Sequence, residues 1–201
     1  ASGTALLLAG LVLLGLALRV PSFRDSLFND DLSTNYVVNG FGVGNIFDIL
    51  ASDQEGTPPL FFLLTWLTKG FGEMEGLRVV SLLAGLACIP LTYLLGERTV
   101  GRPAGVVGAA LVALSPFQIF YASEARAYAL MMLFCLLATL ALLIAIESGR
   151  TRWWVAYGLS VTAAAYTHYP SVFVLIVLFG WAFFARPQAR KPLVLANLGA
   201  A

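Results

Sequence analysis

The sequence predicts an all-α, polytopic membrane protein with about six transmembrane helices and further interfacial helices in its first extracytoplasmic loop. Of its 201 residues, 59% are hydrophobic and only 11% are charged, and the mean hydropathy is +0.85. A soluble chain of this length has a far more polar composition. Apolar runs of helical length also recur along the chain, with the charged residues between them. The net charge of +1 gives no support to a nucleic-acid partner.

Crossing a bilayer takes about 20 apolar residues, or somewhat fewer where flanking side chains snorkel. The runs predicted to cross are residues 3–18, 78–96, 104–121, 128–146, 153–167 and 171–185. A cleaved signal peptide is the alternative for the first run, but "LRVPSFRDS" follows it without a small-residue cleavage site, which favours a true span. Because the chain begins without Met and ends in a new apolar segment, we expect residues 1–201 to be the N-terminal part of a longer membrane protein.

A further apolar run, residues 58–71, is too short to be a comfortable span. It begins with Pro58 and Pro59, which favour a helix start, and carries Lys69 near its end. It is therefore predicted to be an interfacial helix within the first extracytoplasmic loop, residues 19–77.

The distribution of charge assigns the two sides of the membrane. If the N-terminus is cytoplasmic and the 58–71 helix does not cross, the cytoplasmic loops hold Arg98, Arg102, Arg150, Arg152, Arg186, Arg190 and Lys191 against two acids, Glu97 and Glu147. This is the excess that the positive-inside rule requires. Residues 19–77, 121–128 and 167–170 then share the extracytoplasmic face of a multi-pass plasma-membrane protein, and their acids, arginine and histidine predict an active site there.

Asp30 and Asp31 form an acidic pair just past the first apolar run. Adjacent carboxylates point in different directions, so one can act as a general base while the other orients a substrate or a metal. The alternative is a pair of solvated loop acids that cap a helix.

"YASEARAYAL", residues 121–130, places Glu124 and Arg126 at a junction between two spans. Arginine suits bidentate recognition of phosphate, and Tyr121 and Tyr128 suit the headgroup depth of the membrane. An interfacial ion pair with an aromatic belt is the alternative.

His168, the only histidine, lies between two later spans, and Glu55 and Thr57 precede the positive N-terminal end of the 58–71 helix. A helix N-terminus is a natural place for a phosphate or carboxylate. The alternatives are a hydrogen-bonded structural histidine and an ordinary helix start.

Four features in chain order resemble the GT-C superfamily of lipid-linked-sugar glycosyltransferases: the acidic pair after the first span, "TPPLFFLL", "SPFQIFYASEARAYAL" and "YTHY". That superfamily includes protein O-mannosyltransferases, the lipid A aminoarabinose transferase and the bacterial group called family 39-like. The course of the chain from "RVVSLLAG" to "VALSPF" is also similar, so the resemblance covers nearly all of it.

The resemblance implies a membrane glycosyltransferase that moves a hexose or pentose from a polyprenyl-phosphate donor to a protein, lipid or polysaccharide acceptor, with inversion. It implies that Asp30 is the catalytic base, while Asp31 replaces a commoner Glu. Thr57 stands where the family often has a His or Lys that contacts the donor phosphate. This departure leaves more of the phosphate contact to Arg126.

The same resemblance implies that Glu124, Tyr121 and Tyr128 line the substrate site with Arg126. In some relatives a divalent metal ion is bound by an acid before the prolines and by a later His, which correspond here to Glu55 and His168.

A secondary transporter or lipid flippase, with the acids and His168 relaying protons, is the alternative function. Transporters place ionisable groups near the membrane midplane and show inverted repeats. In this sequence the acids cluster in loops and no repeat is visible, which favours the transferase. A non-catalytic membrane scaffold would not explain why acids and basic residues are sorted to opposite sides.

Overall fold

The computed structural model describes residues 2–28, 30–40, 42–52, 55–72 and 74–200. Within these residues the regular secondary structure is entirely helical, which confirms the predicted all-α class. The α-helices are α1 Ser2–Arg19, α2 Asp30–Asn39, α3 Val43–Ala51, α4 Pro59–Thr68, α5 Glu75–Thr99, α6 Arg102–Leu114, α7 Pro116–Ser123, α8 Tyr128–Ser148, α9 Thr151–Ala165, α10 Ser171–Ala185 and α11 Arg190–Leu198. Short 3-10 helices cover Pro21–Arg24, Lys69–Phe71 and Pro187–Ala189.

Helix α5 is the centre of the bundle and packs against α1, α4, α6, α7 and α8. With 25 residues it is the longest described helix, roughly 37 Å at 1.5 Å per residue. Helices α5 and α8 run in the same direction. Arg98 near the end of α5 pairs with Glu147 near the end of α8, and Ser81 near the start of α5 bonds to Arg126, just before α8 begins. The bundle therefore has two distinct ends, and the loops that carry the predicted site lie at the end where α5 and α8 begin.

Two described helices, α5 and α8, are long and apolar enough to cross a membrane, or up to four spans if each of two bent helix pairs counts as one. Helix α1 is a shorter apolar helix, and α9 has only 15 residues. The predicted count of about six spans is not confirmed by these lengths and stays a prediction.

The apolar run at residues 104–121, predicted as one span, contains a break. Helix α6 ends at Leu114, α7 begins at Pro116, and the two helices are bent by 56°. Proline lacks the N–H that would continue the α6 ladder and disfavours helical geometry in the residue before it. Ser115 is accordingly extended, and its hydroxyl accepts from the Gln118 N–H to cap α7.

The first loop folds into α2, α3 and α4 over a buried apolar cluster. Val38, Ile46, Phe61 and Phe62 in these helices meet Leu77 of α5, and each is completely buried. Burial of side chains this large supplies the main driving force for ordering the loop. The predicted helix at 58–71 is present as α4 and the following 3-10 turn, and α4 alone is roughly 15 Å long, too short to cross a bilayer.

Candidate functional site

Arg126 is the hub at which the acids of separate loops meet. Its Nη1 lies 3.2 Å from Glu55 Oε2, and its Nη2 donates to Thr57 Oγ1 over 3.3 Å. Its Nε lies 3.7 Å from Asp30 Oδ2. The side chain is only 11% exposed, so these charges interact in a partly desolvated setting where attraction is stronger than in water. Four residues predicted from the sequence to be site residues are thus in direct contact.

The acidic pair divides into two different environments. Asp30, the first residue of α2, keeps 47% of its side chain exposed and has Arg126 as its ion-pair partner. Asp31 is 5% exposed, and its Oδ2 lies 2.7 Å from Arg78 Nη2. Its Oδ1 accepts the backbone N–H of Ala125 over 2.8 Å. Only Asp30 therefore presents a carboxylate that an incoming molecule can reach.

Glu55 is held as an anion. It accepts a short hydrogen bond from the Ser33 hydroxyl, a 3.0 Å bond from the Thr57 N–H, and the contact from Arg126. Burial alone would raise the pKa of Glu55, but the hydrogen bonds from Ser33 and Thr57 and the charge of Arg126 outweigh burial, so the pKa lies below its ordinary value. Glu55 therefore serves to fix the guanidinium rather than to exchange protons at neutral pH.

Glu124 has the opposite character. Burial raises its pKa above the ordinary value, and the nearby charges of Asp31 and Asp30 raise it further, against the opposing effect of Arg126 and Arg78. Within the part of the chain that the structure describes, its carboxylate makes no hydrogen bond or ion pair. Glu124 is thus a half-buried acid whose charged form is poorly compensated.

Aromatic rings line one side of the site in a continuous row. The ring of Tyr128 lies edge-to-face with that of Tyr121 at 4.7 Å and with that of His168 at 5.2 Å between centroids, and Phe117 extends the row beyond Tyr121. Burial and the charge of Arg126 lower the pKa of His168, with Glu55 acting in the opposite direction, so the imidazole is neutral at pH 7. The row runs from His168 to Phe117, an exposed residue of α7.

The predicted metal pair does not fit this arrangement. Both oxygens of Glu55 already accept hydrogen bonds, and the guanidinium of Arg126 lies against the carboxylate where a cation would bind. Among the described residues there is also no group of three or more His, Cys, Asp or Glu side chains that could hold a metal ion. His168 Nδ1 is buried without a hydrogen-bond partner, but one nitrogen is too few ligands for a site.

The N-terminal end of α4, a predicted place for a phosphate or carboxylate, bonds instead to the backbone of another helix. The Leu60 N–H donates to the carbonyl of Tyr166 over 3.0 Å, which docks α4 onto the end of α9. Pro58 and Pro59 have no N–H to offer. This helix end therefore positions Thr57 and Glu55 and has little remaining capacity to bind a phosphate itself.

Arg78, Thr34 and Ser81 were not predicted from the sequence to be site residues, yet each donates to backbone carbonyl groups of the segments that form the site. A signal for Arg78 was available, since a charged side chain inside the apolar run 78–96 requires a buried partner. No comparable signal exists for Thr34 and Ser81, because a hydroxyl is common in both loops and spans.

A family model described as dolichyl-phosphate-mannose-protein mannosyltransferase matches residues 56–201. The matched range contains Thr57, Glu124, Arg126 and His168, and it begins after the acidic pair of α2. No curated protein and no solved structure matches the chain.

Proposed function

Because the chain belongs to the dolichyl-phosphate-mannose-protein mannosyltransferase family and is therefore a membrane glycosyltransferase of the GT-C type, we propose that it moves a sugar from a polyprenyl-phosphate donor to an acceptor hydroxyl, with inversion, at the extracytoplasmic face of the plasma membrane. The observation that carries this proposal is the contact between a reachable carboxylate, Asp30, and a fixed guanidinium, Arg126.

In this mechanism Asp30 acts as the general base. The acceptor hydroxyl transfers its proton to an oxygen of Asp30 while its own oxygen attacks the anomeric carbon of the donor sugar. A new glycosidic C–O bond forms as the bond from the anomeric carbon to the phosphate oxygen breaks, and the electron pair leaves with the polyprenyl phosphate. One displacement from the opposite face inverts the anomeric centre, by the same stereochemistry as in inverting glycosidases.

Arg126 stabilises the charge that develops on the leaving phosphate. Glu55 and Thr57 each take one N–H, from different terminal nitrogens of the guanidinium, and Nε faces Asp30. This leaves one N–H on each terminal nitrogen for a phosphate. Because the guanidinium is fixed before the donor binds, little reorganisation is needed in the transition state, and this is the main source of electrostatic catalysis.

The aromatic row supplies the wall of the donor site. Tyr121 and Tyr128 combine an apolar ring with a hydroxyl, as required where a sugar phosphate meets its lipid tail. His168 is neutral and adjoins Tyr128, so it contributes a hydrogen-bonding edge without adding a second positive charge. Burial and the nearby charges of Asp31 and Asp30 raise the pKa of Glu124, so the proposed base has a second, half-buried acid close to it.

The test is donor consumption by the protein in proteoliposomes, with a panel of radiolabelled polyprenyl-phosphate sugars that includes dolichyl-phosphate mannose. We expect one donor to be consumed and Asp30→Asn to abolish its consumption at an unchanged membrane level. Asp48→Asn, which removes an exposed acid from α3, is the matched control and should retain activity. Full activity in Asp30→Asn would refute the assigned base. Failure of the folded wild-type protein to consume any donor would refute the transferase and favour a transporter.

A further inference from the structure

We propose that Asp31 and Arg78 form a buried positioning pair that holds the Glu124–Arg126 segment in front of Asp30, so that Asp31 acts through this segment and not on the substrate. The inference rests on the proposed function for its catalytic consequence. The set of hydrogen bonds by which Asp31, Thr34 and Ser81 hold this segment, called the clamp below, is a property of the fold. It separates the two members of the acidic pair into a catalytic residue and a positioning residue.

Arg78 is tied to the chain that leads into α2. Its guanidinium donates to the carbonyl oxygens of Ser22, Phe23, Asp25 and Ser26 at 2.7 to 3.3 Å. Arg78 is only 3% exposed, and among the described residues its one other hydrogen-bond acceptor is the carboxylate of Asp31, at 2.7 Å. A buried guanidinium needs an anion, because leaving it unpaired is strongly destabilising. Asp31 is that anion.

The second oxygen of Asp31 reaches across to the segment that carries Arg126. Oδ1 accepts from the Ala125 N–H over 2.8 Å, while Thr34 Oγ1 donates to the Ala125 carbonyl over 2.7 Å. Ser81 on α5 donates to the carbonyl of Arg126 over 2.9 Å. The peptide groups of Ala125 and Arg126 are therefore held by side chains from two helices, α2 and α5.

This clamp fixes the positions from which the Glu124 and Arg126 side chains extend. Ala125 is completely buried, so Glu124 and Arg126 are the neighbours that project from a fixed point. Asp30 precedes Asp31 on α2, so this one helix carries both the proposed base and the residue that holds the segment with Arg126, the ion-pair partner of the base. Both oxygens of Asp31 are engaged and its side chain is 5% exposed, so an acceptor hydroxyl cannot reach it as it can reach Asp30.

Asp31→Asn separates this proposal from a catalytic role for Asp31. The amide oxygen can still accept from Ala125, but its NH₂ group faces the Arg78 guanidinium, donor against donor. We expect kcat to fall about 100-fold, as for a misplacement of about 1 Å in a preorganised site. The shape of the pH–rate profile should be the same as in the wild type, since the proposed base, Asp30, is unchanged. Loss of its acidic limb in Asp31→Asn would overturn the proposal, as would an unchanged kcat.

Two further variants guard against simple misfolding. Adding Arg78→Gln to Asp31→Asn removes the buried charge and allows an amide–amide pair, so the double variant should recover part of the lost kcat. Thr34→Val deletes one bond of the clamp at constant shape and should lower kcat by a smaller factor. Thr139→Val, whose hydroxyl bonds only to Cys135 within its own helix, is the matched control and should be silent.

Hydrogen exchange tests the clamp without any donor. We expect amides of residues 121–128 to exchange faster in Asp31→Asn than in the wild type, and Asp30→Asn to leave them unchanged. Unaltered exchange in Asp31→Asn would overturn the clamp. A wild-type protein that consumes no donor would refute the proposed function, and the exchange result would still decide whether Asp31 holds the segment.

Discussion

Arg126 satisfies three partners at once, and only its planar guanidinium can do so. Two terminal nitrogens reach Glu55 and Thr57 while Nε faces Asp30. A lysine ammonium is a point charge on a flexible stem and cannot span these directions together. We predict that Arg126→Lys lowers donor consumption by about 100-fold, the loss typical of one preorganised stabilising group.

The matched control for this substitution is Arg98→Lys, which alters an exposed pair with Glu147 at the other end of the bundle. Surface ion pairs contribute about 0–1 kcal/mol, so its activity should be unchanged. Equal activity of Arg126→Lys and Arg98→Lys in the proteoliposome assay would remove Arg126 from the mechanism.

Ionisation of Glu124 lowers the stability of the folded state, and this effect depends on pH. Because its folded-state pKa is raised, by burial first and then by Asp31 and Asp30, the folded state binds the proton more tightly than the unfolded state. The resulting stability is fully present below the unfolded pKa of about 4.3 and is lost as the pH rises through the folded pKa. Glu124→Gln removes this loss.

We therefore predict that Glu124→Gln has a higher Tm than the wild type at pH 8 and that the difference shrinks as the pH is lowered towards about 4. Thermal unfolding in detergent over this pH range is the measurement. Glu147→Gln, which is 53% exposed in the wild type, is the control and should show little change. A Tm difference that grows towards low pH would show that Glu124 is stabilised as an anion.

At the scale of the helices, α5 and α7 must approach closely for the 124–126 segment to reach α2. A Cβ built on Gly85 of α5 would lie 2.4 Å from the Cβ of Ala122 in α7, closer than two carbon atoms can stand. Alanine improves helix propensity by up to about 1 kcal/mol. Overpacking of a tight contact costs typically about 1–3 kcal/mol, so the clash outweighs that gain.

We predict that Gly85→Ala lowers the Tm and also lowers donor consumption, because displacing α7 moves the segment that carries Arg126. Gly180→Ala in α10 is the matched control: no atom lies within 4 Å of the added Cβ, so only the propensity gain remains and the Tm should hold or rise. If both variants shifted the Tm in the same direction, the α5–α7 contact would not be limiting.

Across the whole molecule, the parts predictable from sequence are those with a local signal. Hydropathy predicted the helical class, and the charge pattern grouped the loops of Asp30, Glu55, Arg126 and His168, which the structure brings to one end. The break before Pro116 also has a local signal, the Ser–Pro pair, which lies within the run 104–121 that is predicted as one span.

No local signal in the sequence shows that Asp30 stays exposed while Asp31 is buried against Arg78. Consecutive residues on α2 point about 100° apart, and which of them meets Arg78 of α5 depends on how α2 lies against α3 and α4. That packing is decided by the apolar cluster beneath the loop, in residues far apart along the chain. The same holds for Thr34 and Ser81, whose partners are carbonyl groups of another segment.

The orientation of the whole bundle in the membrane can be tested with two equivalent serines at its opposite ends. Ser52 and Ser148 are both exposed, lie at the ends of α3 and α8, and bond to a carbonyl of their own helix, so cysteine should be tolerated equally at each. The native Cys88 and Cys135 are buried and should not react. The positive-inside assignment places the end with Arg98 and Arg150 in the cytoplasm.

We therefore predict that an impermeant maleimide labels Ser52→Cys on intact cells and labels Ser148→Cys only after permeabilisation. Because Ser52 and the hub around Arg126 lie at the same end of the bundle, external labelling of Ser52→Cys also puts the acid cluster outside, where a sugar on a polyprenyl phosphate must be presented. The opposite labelling pattern would turn the site towards the cytoplasm. The basic loops would then face outwards, and the charge distribution would need a cause other than membrane insertion.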